Sequence, residues 1–267
     1  MNAALDTRTL ACLQCGDADT KVSATLALRA DWLAGRITLH DTIPAQDLPA
    51  PGRPALPQLV PPQQVPKHSI RTQAGHAALL HALTHIEFNA INLALDAVYR
   101  FRNMPREYYS DWLQVAAEEA HHFGLLRDHL RTLGYDYGAF DAHDGLWQMA
   151  VKTAHDPLVR MALVPRLLEA RGLDASPAIA EKLRRRGDLR GVDILEIILR
   201  DEIGHVRIGN HWYEHFCAER GLDPAGTFQR LLDEYHAPRP RPPLNTKARS
   251  AAGFSDEELR YLETGNS

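Results

Sequence analysis

Two stretches of this chain, AAEEAHHF at residues 116–123 and LRDEIGHV at 199–206, place Glu-x-x-His inside runs of helical periodicity. Aligned on that motif, Glu119 falls on Glu202 and His122 on His205. Glu118 falls on a second acid, Asp201, whereas His121 falls on Gly204. The repeat therefore selects Glu119 with His122 as the working pair, because Glu118 with His121 has no counterpart. Helix geometry selects the same pair. Residues three and four apart share a face. Stepping from Glu119 meets Trp112, Val115, His122 and Leu126, an apolar stripe, while stepping from Glu118 meets Asp111, Gln114, His121 and Leu125, a more polar one.

The echo extends upstream. Glu87 precedes Glu119 by the length of one long helix and a turn, on a stripe with Leu80, Leu83, Ile91 and Ala94. Glu169, in VPRLLEARGLD, precedes Glu202 by nearly the same interval. Each half thus reads as an acid on one helix followed by Glu-x-x-His on the next, a spacing that fits an antiparallel helix pair. Two such hairpins, packed face to face, bring four carboxylates and two imidazoles together. A carboxylate buried alone costs several kcal/mol or takes up a proton. Four of them with two imidazoles call for a counter-charge, and two divalent cations supply it. One Glu from each of two helices and Glu-x-x-His from each of the other two is the ligand pattern of carboxylate-bridged di-iron and di-manganese bundles. Oxygen-rich donors with imidazole suit iron, with manganese possible, rather than structural zinc. The expected ligands are Glu87 and Glu169 as terminal, Glu119 and Glu202 as bridging, and His122 and His205 as one imidazole per metal. A metal-bound imidazole donates its other N–H to a carboxylate, so Glu118 is expected to support His205, and Asp201 His122.

The rest of the chain frames these hairpins. Short helices are expected at residues 3–15 and 20–36. Residues 41–68 hold eight of the 17 prolines, too many for helix or central strand, so an extended connector wrapping the surface is expected. Long helices follow at 70–102 and 105–133, the second opened by Pro105 and closed by Gly134. Helices are read at 145–155 and 157–171, with a kink at Pro165, then a break over GLDASP at 172–177 and a short helix at 177–186. A long helix at 188–219, helices at 224–235 and 255–263, and an irregular arm between those two complete the reading. Strand signals are essentially absent. The expectation is an all-α chain in three parts: N-terminal helices and connector at 1–68, a four-helix bundle at 69–236, and a C-terminal arm with a short helix at 237–267.

Composition narrows the partners. With 30 basic and 34 acidic residues the net charge is −4, which argues against a protein that coats nucleic acid or an anionic membrane. No apolar run is long enough to mark a spanning helix. The opening MNAALDTRTLACLQCGDADT lacks a basic-then-apolar leader pattern, so a cytoplasmic location is expected. Cys12 and Cys15 form a lone C-x-x-C with no second ligand pair at zinc spacing, and read as small apolar residues of a helix. Among the 14 histidines, His81 with His85 and His211 with His215 are i,i+4 pairs read as polar faces, and His155 as a helix-end residue. Arg184–Arg186 reads as a solvated helix end that suits the dipole there. The arm carries Arg239, Arg241, Lys247 and Arg249. Its plainer reading is a surface tail, and the alternative is a cover that holds an anionic substrate over the site.

At these residues the chain resembles the ferritin-like superfamily. More narrowly, AAEEAHHF, LVPRLLEARGLD and ILRDEIGHV, with the arm RPPLNTKARSAAGF, resemble a bacterial ferritin-like family labelled as a domain of unknown function, over about residues 69–253. The Glu-Ala-Arg segment at Glu169 is also similar to that of a di-iron tRNA hydroxylase acting on isopentenyl-type adenosine, and this resemblance implies that Glu169 is a ligand. The function expected is an O2-dependent non-haem di-iron oxidoreductase of the hydroxylase or oxygenase type. It would act on a small molecule or modified base, with electrons from an external donor because no flavin or dinucleotide motif is present. A monomer or homodimer is expected. The alternatives are a ferroxidase or iron-handling protein and a di-manganese peroxide scavenger.

Overall fold

The computed structural model describes residues 3–39, 43, 46–48 and 50–264; residues 41, 42, 44, 45 and 49 of the expected connector lie outside them. Among the described residues the chain is all-helical apart from a parallel pair of two-residue strands, β1 (Ala3–Ala4) and β2 (Ile37–Thr38), and irregular connecting segments. Among the described residues no helix is long and apolar enough to cross a membrane. The chain divides into two compact units, Met1–Val151 and Lys152–Ser267.

The first unit is organised on a hairpin of α3 (Gln73–Arg100) and α4 (Arg106–Thr132). The Thr72 side chain caps α3 by accepting from the Gly75 N–H at 3.0 Å, which satisfies one of the orphan amides of the first turn. Pro105 is the cap residue of α4, one position outside its first turn. Two ties fix the register: Gln73 Nε2 donates to the Leu133 carbonyl and the Tyr108 hydroxyl to the Ala97 carbonyl. The interval from Gln73 up to Ala97 nearly equals that from Leu133 down to Tyr108. The pair is therefore antiparallel, and Glu87 lies level with Glu119. The N-terminal helices α1 (Leu5–Gln14) and α2 (Ala18–Leu33) pack on this hairpin rather than standing apart. Lys21 is fully buried there. Its ammonium donates to the carbonyls of Cys12 and Leu13 at the end of α1 and to Asn92 Oδ1 on α3. Cys12 is buried, and Cys15 caps α1.

The connector holds to this unit as an extended segment with one 3-10 turn, Pro62–Gln64. Gly52 N–H donates to the Leu13 carbonyl, Arg53 pairs with Asp144, and residues 58–60 exchange backbone bonds with Ala142. A short helix, α5 (Gly145–Lys152), follows. His81 and His85 lie buried under the connector and the 134–143 loop. The Gly138 N–H donates to His81 Nε2 at 2.9 Å, and His85 lies 2.9 Å from the Tyr137 hydroxyl and 3.0 Å from the His143 carbonyl.

The second unit is a hairpin whose first arm changes helix type. α6 (Pro157–Leu163) runs into a π-helical turn, Val164–Glu169, and then α7 (Ala170–Arg186). Pro165 has no N–H to give to the preceding turn. The chain responds by widening where the sequence places the kink: the Ala170 N–H reaches back to the Pro165 carbonyl, one residue further than in an α-helix. The expected break over GLDASP also does not occur. α7 passes through Pro177, because Leu173, Ser176 and Leu183 form a buried stripe and Ser176 Oγ bonds the Gly172 carbonyl. Gly187, at φ 84°, ends α7 in the left-handed region open to glycine. Asp188 then caps α8 (Leu189–Glu219). α9 (Pro224–Glu234), α10 (Thr246–Ala251) and α11 (Asp256–Thr264) complete the unit. α10 lies within the arm expected to be irregular.

Two close approaches set the register. Leu183 packs against Gly191, and a Cβ on Gly209 would lie 2.5 Å from Pro165 Cβ. The interval from Leu183 down to Pro165 equals that from Gly191 up to Gly209. The arms are antiparallel, and Glu169 lies level with His205. Arg166, fully buried in the π turn, bonds Asn210 Oδ1 at 2.7 Å and pairs with Glu258. Its guanidinium faces the rings of Tyr213, Phe228 and Phe254 at 4.6–5.0 Å. It ties the π turn to α8, α9 and α11.

Two outcomes follow. Gly209→Ala forces Pro165 off α8 and should lower stability by about 1–3 kcal/mol in urea unfolding, with the loss in the second unit. In the first unit, burial is the leading cause that lowers the His81 and His85 rings to about 4 from their ordinary 6.5. Below 6.5 the unfolded chain binds protons that the folded chain refuses, so this stability is full above 6.5 and is lost as pH falls towards 4. It amounts to roughly 3 kcal/mol per ring. Unfolding midpoints at pH 7 and 4.5 should differ less for His85→Gln than for the unsubstituted chain.

Candidate metal centre

The i,i+3 rule chose the inner face of α4 correctly. Trp112, Val115, Glu119, His122 and Leu126 are buried, whereas Gln114 and His121 are exposed and Glu118 is half-buried. On α3, Leu80, Glu87, Ile91 and Ala94 are buried in turn. Register and face together bring Glu87 against the Glu119–His122 pair. His122 Nδ1 lies 3.3 Å from Glu87 Oε2 and 3.4 Å from Glu119 Oε2, with all three side chains at most 5 % exposed. One ligand atom from each can be chosen so that all lie within 4.8 Å of one another.

Two carboxylates and an imidazole in a dry place cannot all be proton-free without a counter-charge. Burial, then the neighbouring Glu119 charge, pushes the Glu87 carboxyl well above the usual carboxylate range. Burial alone would lower the His122 ring, but Glu119 and Glu87 outweigh it and hold the ring up at about 11. Both shifts express one fact: this cluster keeps positive charge, as a proton or as a cation. The spacing suits a cation. Donor atoms at about 2.1 Å from a six-coordinate ion lie about 3 Å from their neighbours, close to the separations found here.

The second unit carries the same residue types in the same order. Glu202 and His205 are both buried on α8, with His205 Nδ1 3.8 Å from Glu202 Oε1. Glu169 is half-buried, ends the π turn and lies level with His205 by the hairpin register. A π turn re-aims the side chains that leave it and is often found at functional sites. The sequence shows the proline that starts this turn but not the turn itself.

The remaining site residues divide by burial. Glu118 accepts from Gln114 Nε2 at 3.1 Å, and Asp201, half-buried, accepts both Nε and Nη2 of Arg200. Of the four arm residues, Arg249 is fully buried. It bonds both oxygens of Asp174 and the Ala170 carbonyl, so it pins the arm to α7. Arg239 bonds Asp233 and the Tyr261 hydroxyl. Arg241 and Lys247 are exposed. Sequence reasoning missed Arg171, which donates to the Pro238 carbonyl at 2.7 Å. The only signal for it was its place just after Glu169.

A protein of Haemophilus influenzae described as an uncharacterized protein is 55 % identical to this chain over 216 residues, 78 % of this chain and 75 % of that protein. No solved structure matches. Residues 14–260 match the family described as "Protein of unknown function (DUF455)", and the chain belongs to that family.

Proposed function

We propose that this chain is a ferritin-like, O2-dependent oxidoreductase with a two-metal centre held by Glu87, Glu119, His122, Glu169, Glu202 and His205. The observation that carries the reading is the sealed Glu87–Glu119–His122 cluster, whose residue types recur in the same order on the second hairpin as Glu169, Glu202 and His205. In both halves the imidazole presents Nδ1 to its glutamate, and a metal-bound ring turns its other nitrogen to an orienting partner. Glu118 and Asp201 are the proposed partners.

The residues fit the group. Carboxylate and imidazole donors without thiolate suit iron, with manganese second, and a pair of such ions, when bound, would supply the electrons and Lewis acidity for reducing O2. The protein's own work is coordination, exclusion of water and, without metal, uptake of a proton by the buried Glu87–Glu119–His122 cluster. Loading the centre displaces that proton, so affinity should rise with pH. We place the chain in the cytoplasm, with an external electron donor and a small organic substrate.

Anaerobic loading with Fe(II) followed by elemental analysis should return two metals per chain, and at most one for His122→Ala or His205→Ala. The ferrous protein should then consume O2. No bound metal in the unsubstituted chain would overturn the reading. A 24-subunit shell would favour iron storage, and peroxide disproportionation by the manganese form would favour the scavenging alternative.

A further inference from the structure

The second unit carries a separate cavity of about 500 Å³, formed by α7 and the arm that follows α9. Arg171, Asp174, Ala175 and Ala178 line it from α7, and Pro238, Arg239, Arg241 and Pro243 from the arm. At 100° per residue, Arg171 and Ala178 project about 180–200° around α7 from Glu169. The burial pattern agrees, since Leu173, Ser176 and Leu183 cover the Glu169 side while Ala175 and Ala178 are exposed. The cavity therefore opens on the face of α7 away from the candidate metal centre.

Its charges do not balance. Asp174 is fully engaged: its oxygens accept from Arg249 Nε at 3.0 Å, Arg249 Nη2 at 2.7 Å and the Asn245 N–H at 2.9 Å. Arg239 is oriented by the Tyr261 hydroxyl and by Asp233, an exposed rim acid. Among the described residues neither Arg171 nor Arg241 pairs with a carboxylate. Arg171 is held by a backbone carbonyl alone. Burial lowers the Arg171 guanidinium from its ordinary value, and the charges of Arg241 and Arg249 lower it further. Two positive charges are thus brought together while the one lining acid, Asp174, is engaged by Arg249 and Asn245, over a floor of alanine and proline that leaves the cavity open.

We propose that this cavity binds a phosphate group, free or carried by a small organic molecule, with Arg171 and Arg241 as its principal donors and Arg239 completing the rim. A phosphate dianion matches the two unpaired guanidiniums in charge, and their planar forks match its oxygens. The volume is within the range of small-ligand sites. A single concavity on a chain of net charge −4 favours a compact anion over a nucleic-acid strand, which would need a basic track. The site stands whether or not the metal reading does, because it shares no residue with that centre.

The test is calorimetric titration of the full-length, metal-stripped chain with inorganic phosphate and with AMP, against chloride at matched ionic strength. We expect one saturable site per chain, affinity reduced about tenfold in Arg241→Ala, and no change in Arg185→Ala, an exposed arginine near the end of α7 that bonds Glu181. Arg241 is exposed, so its variant should keep the helical circular dichroism of the parent. Tighter binding of AMP than of phosphate marks an organic phosphate, and equal binding marks the free ion; both support the site. No saturable phosphate binding, equal binding by Arg241→Ala, or binding only of a single-stranded oligonucleotide with steep salt dependence would overturn it.

Discussion

The cost of keeping carboxylates out of water governs this molecule. Glu87 and Glu119 point at each other and at His122 from two packed helices, with almost no solvent contact. Nothing about helix packing asks for acids there; leucine would stabilise the hairpin more simply. A chain that buries such a cluster on one hairpin, and the acid and imidazole of Glu202 and His205 on the other, accepts a real electrostatic cost. A cation would offset it by attracting all the donors at once, and a proton would do so only in part.

Much of the surrounding structure holds these side chains at the same level. In the first unit the ends of α3 and α4 are tied by Gln73 and Tyr108, so that Glu87 meets Glu119 without any special loop. In the second, the contact of Gly209 with Pro165 and the buried Arg166 hold the π turn in place. Glu169 is the last residue of that turn. Local backbone irregularity next to a proposed ligand, anchored by a buried guanidinium, is a feature for which the fold alone supplies no reason.

The parts legible in the sequence were those that follow from period. Glu-x-x-His on an apolar stripe told which acid and which histidine face inward, and the burial of Trp112, Val115 and Leu126 agrees. Helix type and helix continuity were less legible. Pro165 signals a lost hydrogen bond, but not the π turn that forms there against Gly209. GLDASP has turn composition, yet the Leu173–Ser176–Leu183 stripe packed on α8 outweighs the penalty of Pro177, about 3 kcal/mol in an isolated helix. Arg249 reads only as part of a surface tail or cover, and Arg166 draws no reading, because arginine is seldom fully buried. Their partners, Glu258 and Asp174, are far away in the sequence, so no local pattern announces either pair.

The central claim concerns how the six proposed ligands meet, and the iron-loaded protein reports it directly. X-ray absorption at the iron edge should show only nitrogen and oxygen donors, with a second iron at about 3.5–4 Å. An isolated iron with no neighbouring metal, or one bound by sulfur, would contradict the account.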